Sequence, residues 1–232
     1  MGDRTLIHTL PFSQARELST LVENRRAFTL DSLELNIYET YRVSQHVPLC
    51  FDDLVMINMI QGKKIMHLDH IKSFDYLPGQ MMVLPALVGM HIDFPEATLE
   101  KPTQCTALTI HKEKIAAVLD YLNEFYPKEQ VNQWRIDPDL FHLYNSTELA
   151  DLVNKLFQII ISENPLKDVL ADLAFKELTI RLLQSQSSIA LKIGQSPNKI
   201  LLHLQEFIQK HITEKITMAL LERTAHMSKA SL

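Results

Sequence analysis

Histidine is the residue type of this chain best suited to metal chemistry, because imidazole is the commonest metal ligand in proteins. Of the ten histidines, His67 and His70, with the later His91, come nearest to the pattern of a metal-binding β-barrel. Residues three apart on a strand point to opposite faces, so His67 and His70 cannot both face inward unless a turn intervenes. A His-x-His pair, which would put two imidazoles on one face, is absent from the sequence. We therefore predict no metal site.

Other catalytic groups also lack a recognisable spacing. The sequence has no Gly-x-Ser-x-Gly elbow around a nucleophilic serine. Its five glycines form no Gly-rich loop that could hold a nucleotide phosphate. Cys50 and Cys105 are too few for a disulfide framework, and neither has a histidine in a known motif nearby. The sequence thus predicts neither an enzyme nor a bound cofactor.

Composition and charge limit the classes of partner. With 46% hydrophobic and 22% charged residues in 232 positions, the chain is ordinary for a soluble globular protein. No apolar run approaches the roughly 18 residues of a membrane span, and Met1 to Leu10 has no signal-peptide pattern, so we expect a cytoplasmic location and no membrane partner. The net charge of −5 means that any DNA contact is confined to a small region or lies beyond Leu232.

The first half of the chain has the periodicity of β-strands. Between Phe28 and Arg42, apolar residues alternate with a second set that includes Asn36, Tyr38 and Thr40. Further short extended segments follow as far as Ile110, separated by turn signals at Gly62 and at Pro78-Gly79. After an N-terminal arm of residues 1–27, residues 28–110 are therefore predicted to form an all-β barrel or sandwich.

The second half has the periodicity of helices. One helix is predicted from His111 to Tyr126, a second begins at Ser146 and ends at Asn164-Pro165, and a third runs from Leu166 to Gln184. The short connection predicts that the last two pack antiparallel. Serine, glycine and proline between 184 and 198 mark a boundary, which we place near Ser196.

The last stretch, from Asn198 to Leu232, has the spacing of a helix-turn-helix. A helix with an apolar stripe is followed by a shorter one capped at Thr217, and Ser228 can cap a third. The chain stops at Leu232, about one turn into that third helix.

These features resemble the AraC/XylS family of transcriptional regulators. The residues that carry the resemblance are Ile200 to Ile208, Ile216-Thr217, and Ala225-His226-Met227-Ser228 with Ser231-Leu232; Leu54 to Gly62, Leu77-Pro78-Gly79, Leu84-Pro85 and His91 are similar to the family's cupin-like barrel. The sequence departs from the family at Leu221-Glu222, where relatives have Leu-Ala. The resemblance implies an α+β protein in which a cupin-like effector-binding β-barrel (28–110) precedes an α-helical dimerisation region (111–195) and the start of an all-α helix-turn-helix domain (196–232). Because the family has two helix-turn-helix units, we expect a longer regulator, whose DNA contacts would begin at Ser228, Lys229 and Ser231.

Candidate binding residues follow from this assignment. We predict that a small effector binds inside the barrel and contacts Tyr38, Tyr41, Asn58 and His91. The alternative is that Tyr38 and Tyr41, three apart, lie on opposite faces, so that one of them only packs. Because apolar side chains extend more than halfway around the helix near Ile160, we also predict a homodimer. Its interface would include Leu149, Leu152, Leu156 and Ile160.

The sequence therefore predicts a ligand-responsive transcriptional regulator that is not an enzyme and binds DNA only as the full-length protein. The alternative is a cupin-type metalloenzyme, such as an isomerase or dioxygenase, in which the C-terminal helices only pack.

Overall fold

A computed structural model describes residues 7–8, 10–11, 23–68, 71–128, 133–138 and 141–194, with side chains as far as residue 187. The chain divides into two compact units, Met1–Leu183 and Gln184–Leu232. The terminal helices predicted from Asn198 onward, together with Ser228, Lys229 and Ser231, lie outside the described residues.

Ten strands and three helices make up the described part of the chain. The strands are β1 (Asn24–Thr29), β2 (Leu33–Thr40), β3 (Ser44–Leu49), β4 (Leu54–Gln61), β5 (Lys64–Leu68), β6 (Phe74–Tyr76), β7 (Gln80–Leu84), β8 (Met90–Phe94), β9 (Thr103–Ile110) and β10 (His142–Tyr144). The helices are α1 (Lys112–Phe125), α2 (Thr147–Ile161) and α3 (Lys167–Gly194). This order confirms the predicted β-rich first half followed by helices.

The strands form two antiparallel sheets that share one core. The larger sheet has the order β1-β2-β9-β4-β7-β10, and the smaller has the order β3-β8-β5-β6. Their inner faces meet in a buried cluster that includes Ile57 and Met59 of the larger sheet and Met66 and Phe94 of the smaller. Across the described strands the two sheets do not close into one continuous barrel.

Gly62 marks the point where the chain leaves the larger sheet. Its φ of 82° is in the left-handed region, which glycine adopts without a steric penalty. The sequence predicted a turn here correctly, but β4 and β5 do not pair with each other as a hairpin would, because they belong to different sheets.

The helices α2 and α3 pack antiparallel, as the sequence predicted. Arg181, late in α3, pairs with Glu148, early in α2, at 3.1 Å, and Lys155 lies 3.7 Å from Glu177. Ser146 caps α2 by accepting a hydrogen bond from the Leu149 amide at 3.2 Å. Helix α3 runs about ten residues beyond the predicted end at Gln184. No helix in the described residues combines the length and apolar character needed to cross a membrane.

Candidate functional site

A polar cleft opens beside the shared core of the two sheets. It has a volume of about 440 Å³ and is lined by Arg25, Thr29, Leu30, Asp31, Leu33, Glu34, Asn36, Tyr38, Cys50, Phe51, Asp52, Asp53, Thr109 and His111. These residues come from the β1–β2 hairpin, the loop before β4, the end of β9 and the start of α1. The cleft therefore borders the larger sheet and the start of the helical half of the chain.

Tyr38 forms the inner wall of this cleft. Strand alternation places it on the same face of β2 as Asn36 and Glu34, and all three line the cleft. Tyr38 is only 9% exposed and belongs to the core cluster. Burial raises the pKa of Tyr38 to about 12.

Arg25 is held against the polar residues of β2. Its Nε donates to Asn36 Oδ1 at 2.5 Å, and its Nη2 lies 2.5 Å from Glu34 Oε1. Glu34 also accepts from the Thr29 hydroxyl at 3.0 Å. Burial tends to raise the pKa of Glu34, but hydrogen bonds from Asn36 and Thr29 and the charge of Arg25 outweigh it and lower that pKa. Arg25 is thus a fixed cation whose charge is already balanced.

The opposite side of the cleft is acidic. Asp52 and Asp53 come from the loop before β4, and Asp53 Oδ2 lies 3.9 Å from His111 Nε2. Asp31 completes this rim from the hairpin turn. Its backbone amide donates to Asp168 Oδ1 in the first turn of α3 at 3.4 Å, so that the turn is bonded to a helix.

A buried ion pair lies between the sheets. The side chains of Lys64 and Glu23 are 3% and 8% exposed, and Lys64 Nζ lies 3.1 Å from Glu23 Oε1. The same ammonium donates to Cys105 Sγ at 2.9 Å and lies 4.8 Å from the ring centre of Phe94. Burial by itself lowers the pKa of Lys64, but its interactions with Cys105 and Glu23 raise it above the ordinary value. This ammonium therefore joins the smaller sheet to the residue that precedes β1.

A second cleft, of about 420 Å³, is apolar. It is lined by Leu68, Ile71, Leu84, Pro85, Leu87, Val88, Gly89, Pro138 and Phe141. Leu68 and Leu84 also belong to the core cluster, so both clefts border the same core. Among the described residues, no charged side chain lines this cleft.

The structure separates the four residues predicted to contact an effector. Only Tyr38 lines the polar cleft. Tyr41 lies on the opposite side of the sheet from Tyr38, as their three-residue spacing predicts. Its hydroxyl donates to Oε2 of Glu39, which alternates with Tyr38, at 2.9 Å. Its pKa is raised to about 12 by burial and by Glu39. Tyr41 is not among the described residues of the polar cleft, so an effector bound in that cleft would not contact it.

Asn58 and His91 lie on outer faces of the two sheets. Asn58 pairs with Thr106 and is fully buried, and neither amide atom has a protein hydrogen-bond partner. It alternates with Ile57 and Met59, which face the shared core, so it points away from Tyr38. His91 is exposed on the outer face of the smaller sheet. The sequence showed the alternation, but it could not show how the strands pair.

The leucines predicted for the dimer interface belong to this chain's own core. Leu149, Leu152, Leu156 and Ile160 are 2%, 8%, 0% and 0% exposed, so they cannot offer contact area to a second copy while the chain keeps this fold. The exposed apolar residues of the helical half include Leu166, Val169, Leu170 and Leu173. Their spacing of three and four residues makes one stripe, which we call the α3 stripe.

Two histidines and an aspartate meet on the outer face of the smaller sheet. His46, His67 and Asp93 come from β3, β5 and β8, and their potential ligand atoms all lie within 4.8 Å of one another. The sequence did not predict this group, because its three residues lie far apart along the chain and meet only through strand pairing. His46 joins it through an irregular pairing of β3 with β8 between Ser44 and Val47. The group of three residues lies on the outer face of the smaller sheet, whereas the metal ligands of a cupin-type enzyme would need to lie on the inner faces of the sheets.

Comparison with protein families gives one match that spans most of the described chain. The family model described as AraC-type transcriptional regulator N-terminus matches residues 33–190, a range that holds nine of the ten strands, from β2 to β10, and most of the helical half. Comparison with curated protein sequences gives no significant match.

The solved structures to which this chain is similar include the following three proteins. ToxT from Vibrio cholerae is 11% identical, with a TM-score of 0.48, covering 86% of this chain and 73% of its own. An RmlC-like cupin with a double-stranded β-helix fold from Methanocaldococcus jannaschii is 14% identical, with a TM-score of 0.36 and coverages of 49% and 99%. A putative mannose-6-phosphate isomerase from Ralstonia eutropha JMP134 is 11% identical, with a TM-score of 0.34 and coverages of 38% and 84%.

Proposed function

Because the chain belongs to the AraC-type transcriptional regulators, we propose that the polar cleft beside Tyr38 is the effector site of a ligand-responsive regulator. The observation that carries the proposal is the cleft itself, whose volume of about 440 Å³ lies in the range of small-molecule sites, about 300–1,000 Å³. Polar side chains converge on it from the sheet and from loops, as they do where a ligand must be oriented.

The charges of the cleft favour an effector rich in hydrogen-bond donors. Among the described residues of its lining are four carboxylates, those of Asp31, Glu34, Asp52 and Asp53, and one guanidinium, that of Arg25. Since Arg25 is already paired with Glu34, the groups left to a ligand are mainly acceptors. We therefore propose a small polar effector with hydroxyl or amino groups.

The route from the cleft to the helices passes through the hairpin turn. Asp31 borders the cleft, and its amide is bonded to Asp168 at the start of α3. The backbone amide of His111 donates to the Ser32 carbonyl at 3.1 Å, so α1 is tied to the same turn. An effector that binds one arrangement of this turn more tightly shifts the equilibrium between two arrangements of the helices. The size of that shift is set by the difference between its affinities for the two arrangements.

Binding can be tested with a matched pair of tyrosine variants. A thermal-shift screen of polar metabolites first identifies ligands that stabilise the folded chain, and calorimetry then measures their affinity. Tyr38→Phe removes one hydroxyl from the cleft and should weaken binding by roughly 0.5–1.5 kcal/mol, the usual net value of a hydrogen bond. Tyr41→Phe makes the same chemical change on the opposite face and serves as the control.

The apolar cleft provides the contrary outcome. Leu87 is an exposed residue of that cleft. If Leu87→Asp weakens binding of the same ligand while Tyr38→Phe does not, the effector binds in the apolar cleft and the proposal is wrong.

We also propose that the chain forms a homodimer through the α3 stripe. Leu166, Val169 and Leu173 are 63%, 60% and 61% exposed, whereas Ala171 and Phe175 on the opposite side of the helix are buried. A helix apolar on both sides suits contact with its own chain on one side and with a partner on the other. The stripe begins beside Asp168, where the hairpin turn is bonded, so effector and partner would act on the same end of α3.

Light scattering of two charge-inserting variants tests the dimer. Leu173→Glu should give the mass of one chain, because it buries a carboxylate in the proposed interface. Leu99→Glu places the same charge at another exposed leucine, 72% exposed, and should leave the mass of two chains. A dimer that survives Leu173→Glu would contradict the assignment.

Regulators of this family bind DNA, and for this chain we propose that DNA contact begins at Ser228, Lys229 and Ser231 in the full-length protein. We propose a cytoplasmic location for the same reason, since the regulator must reach its operator. The cleft then has a sensing rather than a catalytic role.

A further inference from the structure

The outer face of the smaller sheet carries a cluster that the sensing function does not use. His46, His67 and Asp93 stand on three neighbouring strands in the order β3-β8-β5, with the aspartate on the central strand. The carboxylate therefore lies between two imidazoles. Nothing in the polar cleft or the α3 stripe requires this arrangement.

Direct contacts fix the carboxylate of Asp93. Oδ1 accepts the backbone amide of His46 at 2.7 Å and lies 3.3 Å from Nδ1 of the same residue. Oδ2 lies 2.8 Å from His67 Nε2. Two ligand atoms of a tetrahedral zinc ion lie about 3.3 Å apart, because its bonds are about 2.0–2.1 Å long. The His46–Asp93 separation matches that spacing, the His67–Asp93 contact is shorter, and the potential ligand atoms of the three residues lie within 4.8 Å of one another, so small side-chain movements would close the group around an ion.

His67 is also oriented from its far side. Its Nδ1 lies 2.8 Å from Ser73 Oγ. A histidine ligand usually hydrogen-bonds through its second ring nitrogen, which fixes the ring and leaves the other nitrogen for the metal. The Ser73 hydroxyl can accept from Nδ1–H and so present Nε2 to an ion.

His46 takes an unusual backbone conformation to reach the cluster. Its φ is 51°, in the left-handed region that few side chains adopt. This conformation occurs where the pairing of β3 with β8 shifts between Ser44 and Val47. The side chain is 71% exposed, so its ring can turn by the ångström or so that closing around an ion requires.

We propose that His46, His67 and Asp93 form a binding site for a zinc ion on the outer face of the smaller sheet. Two imidazoles and one carboxylate are a common donor set for zinc, and a water molecule fills the fourth position. The ion joins β3, β8 and β5 and thereby stabilises the folded chain. The site lies outside the polar cleft, since none of its three residues lines that cleft.

Three variants test the donor set on the full chain, purified without a histidine tag. His46→Asn removes one imidazole while keeping a residue that tolerates the left-handed backbone. Asp93→Asn keeps an oxygen that can accept from the His46 amide but removes the charge. His91→Ala is the matched control, because His91 is on the same face and its ring centre lies 6.0 Å from that of His46, yet it is not among the three grouped residues.

Calorimetric titration with zinc chloride should give one ion per chain at an affinity on the order of micromolar, since only three protein ligands are available. His46→Asn and Asp93→Asn should each weaken binding by more than about tenfold, and His91→Ala should change it by less than about threefold. Cobalt(II) should give the visible absorption bands of a tetrahedral ion, lost in His46→Asn. Zinc should raise the melting temperature of the native chain but not of His46→Asn.

Two results would overturn the proposal. One is zinc binding that persists in both His46→Asn and Asp93→Asn, with circular dichroism showing that the variants are folded, because the ion would then bind other groups. The other is an equal loss in His91→Ala, because the donor set would then be wrong.

Discussion

The buried pair of Lys64 and Glu23 gives the sharpest test of the packing between the sheets. Glu23→Ala removes the carboxylate and leaves an ammonium whose side chain is 3% exposed. Removing one partner of a buried pair generally costs about 3–5 kcal/mol, because the remaining charge is isolated from water. Cys105 Sγ and the Phe94 ring remain beside Nζ, and a cation near an aromatic ring retains about 0.5–2 kcal/mol. We therefore expect a loss near the lower limit, about 3 kcal/mol.

Removing the ammonium as well should recover most of that loss. In the double variant Glu23→Ala, Lys64→Met, an apolar chain of similar length occupies the same space beside Phe94. Replacing a buried pair by apolar groups is often neutral or stabilising, so the double variant should lie within about 1 kcal/mol of the native chain. Non-additivity of this size is the signature of a direct interaction.

Urea unfolding followed by circular dichroism measures all four proteins of this cycle: the native chain, Glu23→Ala, Lys64→Met and the double variant. Midpoints and slopes give the free energies of unfolding, and equal slopes show that the variants share the same folded and unfolded states. The reasoning fails if Glu23→Ala costs less than about 1 kcal/mol, or if the double variant is less stable than Glu23→Ala.

Two further changes test local features of the sheets. Burial lowers the pKa of His142. The contribution of its neutral ring to stability is therefore complete above the ordinary histidine pKa of about 6.5 and is lost as the pH falls through the lower pKa of the folded state. His142→Phe should make the free energy of unfolding in urea less dependent on pH between 7 and 5. Gly62→Ala should cost at least about 1–2 kcal/mol, because φ is 82° and a Cβ would lie 2.7 Å from Thr103 Oγ1. Gly89→Ala, where a Cβ meets nothing within 4 Å, is its control in the same unfolding assay.

Strand alternation made part of the site predictable. The alternating pattern placed Asn36 and Tyr38 on one face of a strand, and both line the polar cleft. The position of Asn58 was not predictable, because the face on which a residue lies depends on which side of its strand meets the second sheet. The position of His46 beside Asp93 was not predictable for a different reason, since it depends on an irregular pairing of β3 with β8.

The helical half shows a second limit of sequence patterns. An apolar stripe such as that of Leu149 and Leu156 has the same periodicity whether it packs within one chain or between two. The folded structure decides between them, because Leu149 and Leu156 are buried within the chain. Strand β10 was missed because it has only three residues in a segment that reads as irregular.

Strand β10 determines when the larger sheet can be completed during synthesis. Every side chain of β7 is buried, and β10 pairs along one edge of it, from His142 opposite Met82 to Tyr144 opposite Gln80. Until Tyr144 has left the ribosome, this hydrophobic strand has an open edge, which is a template for pairing with other chains. A nascent chain that stalled after Ile110 would hold nine strands and still be prone to aggregate. The larger sheet is therefore complete only after α1 and β10 have also been synthesised.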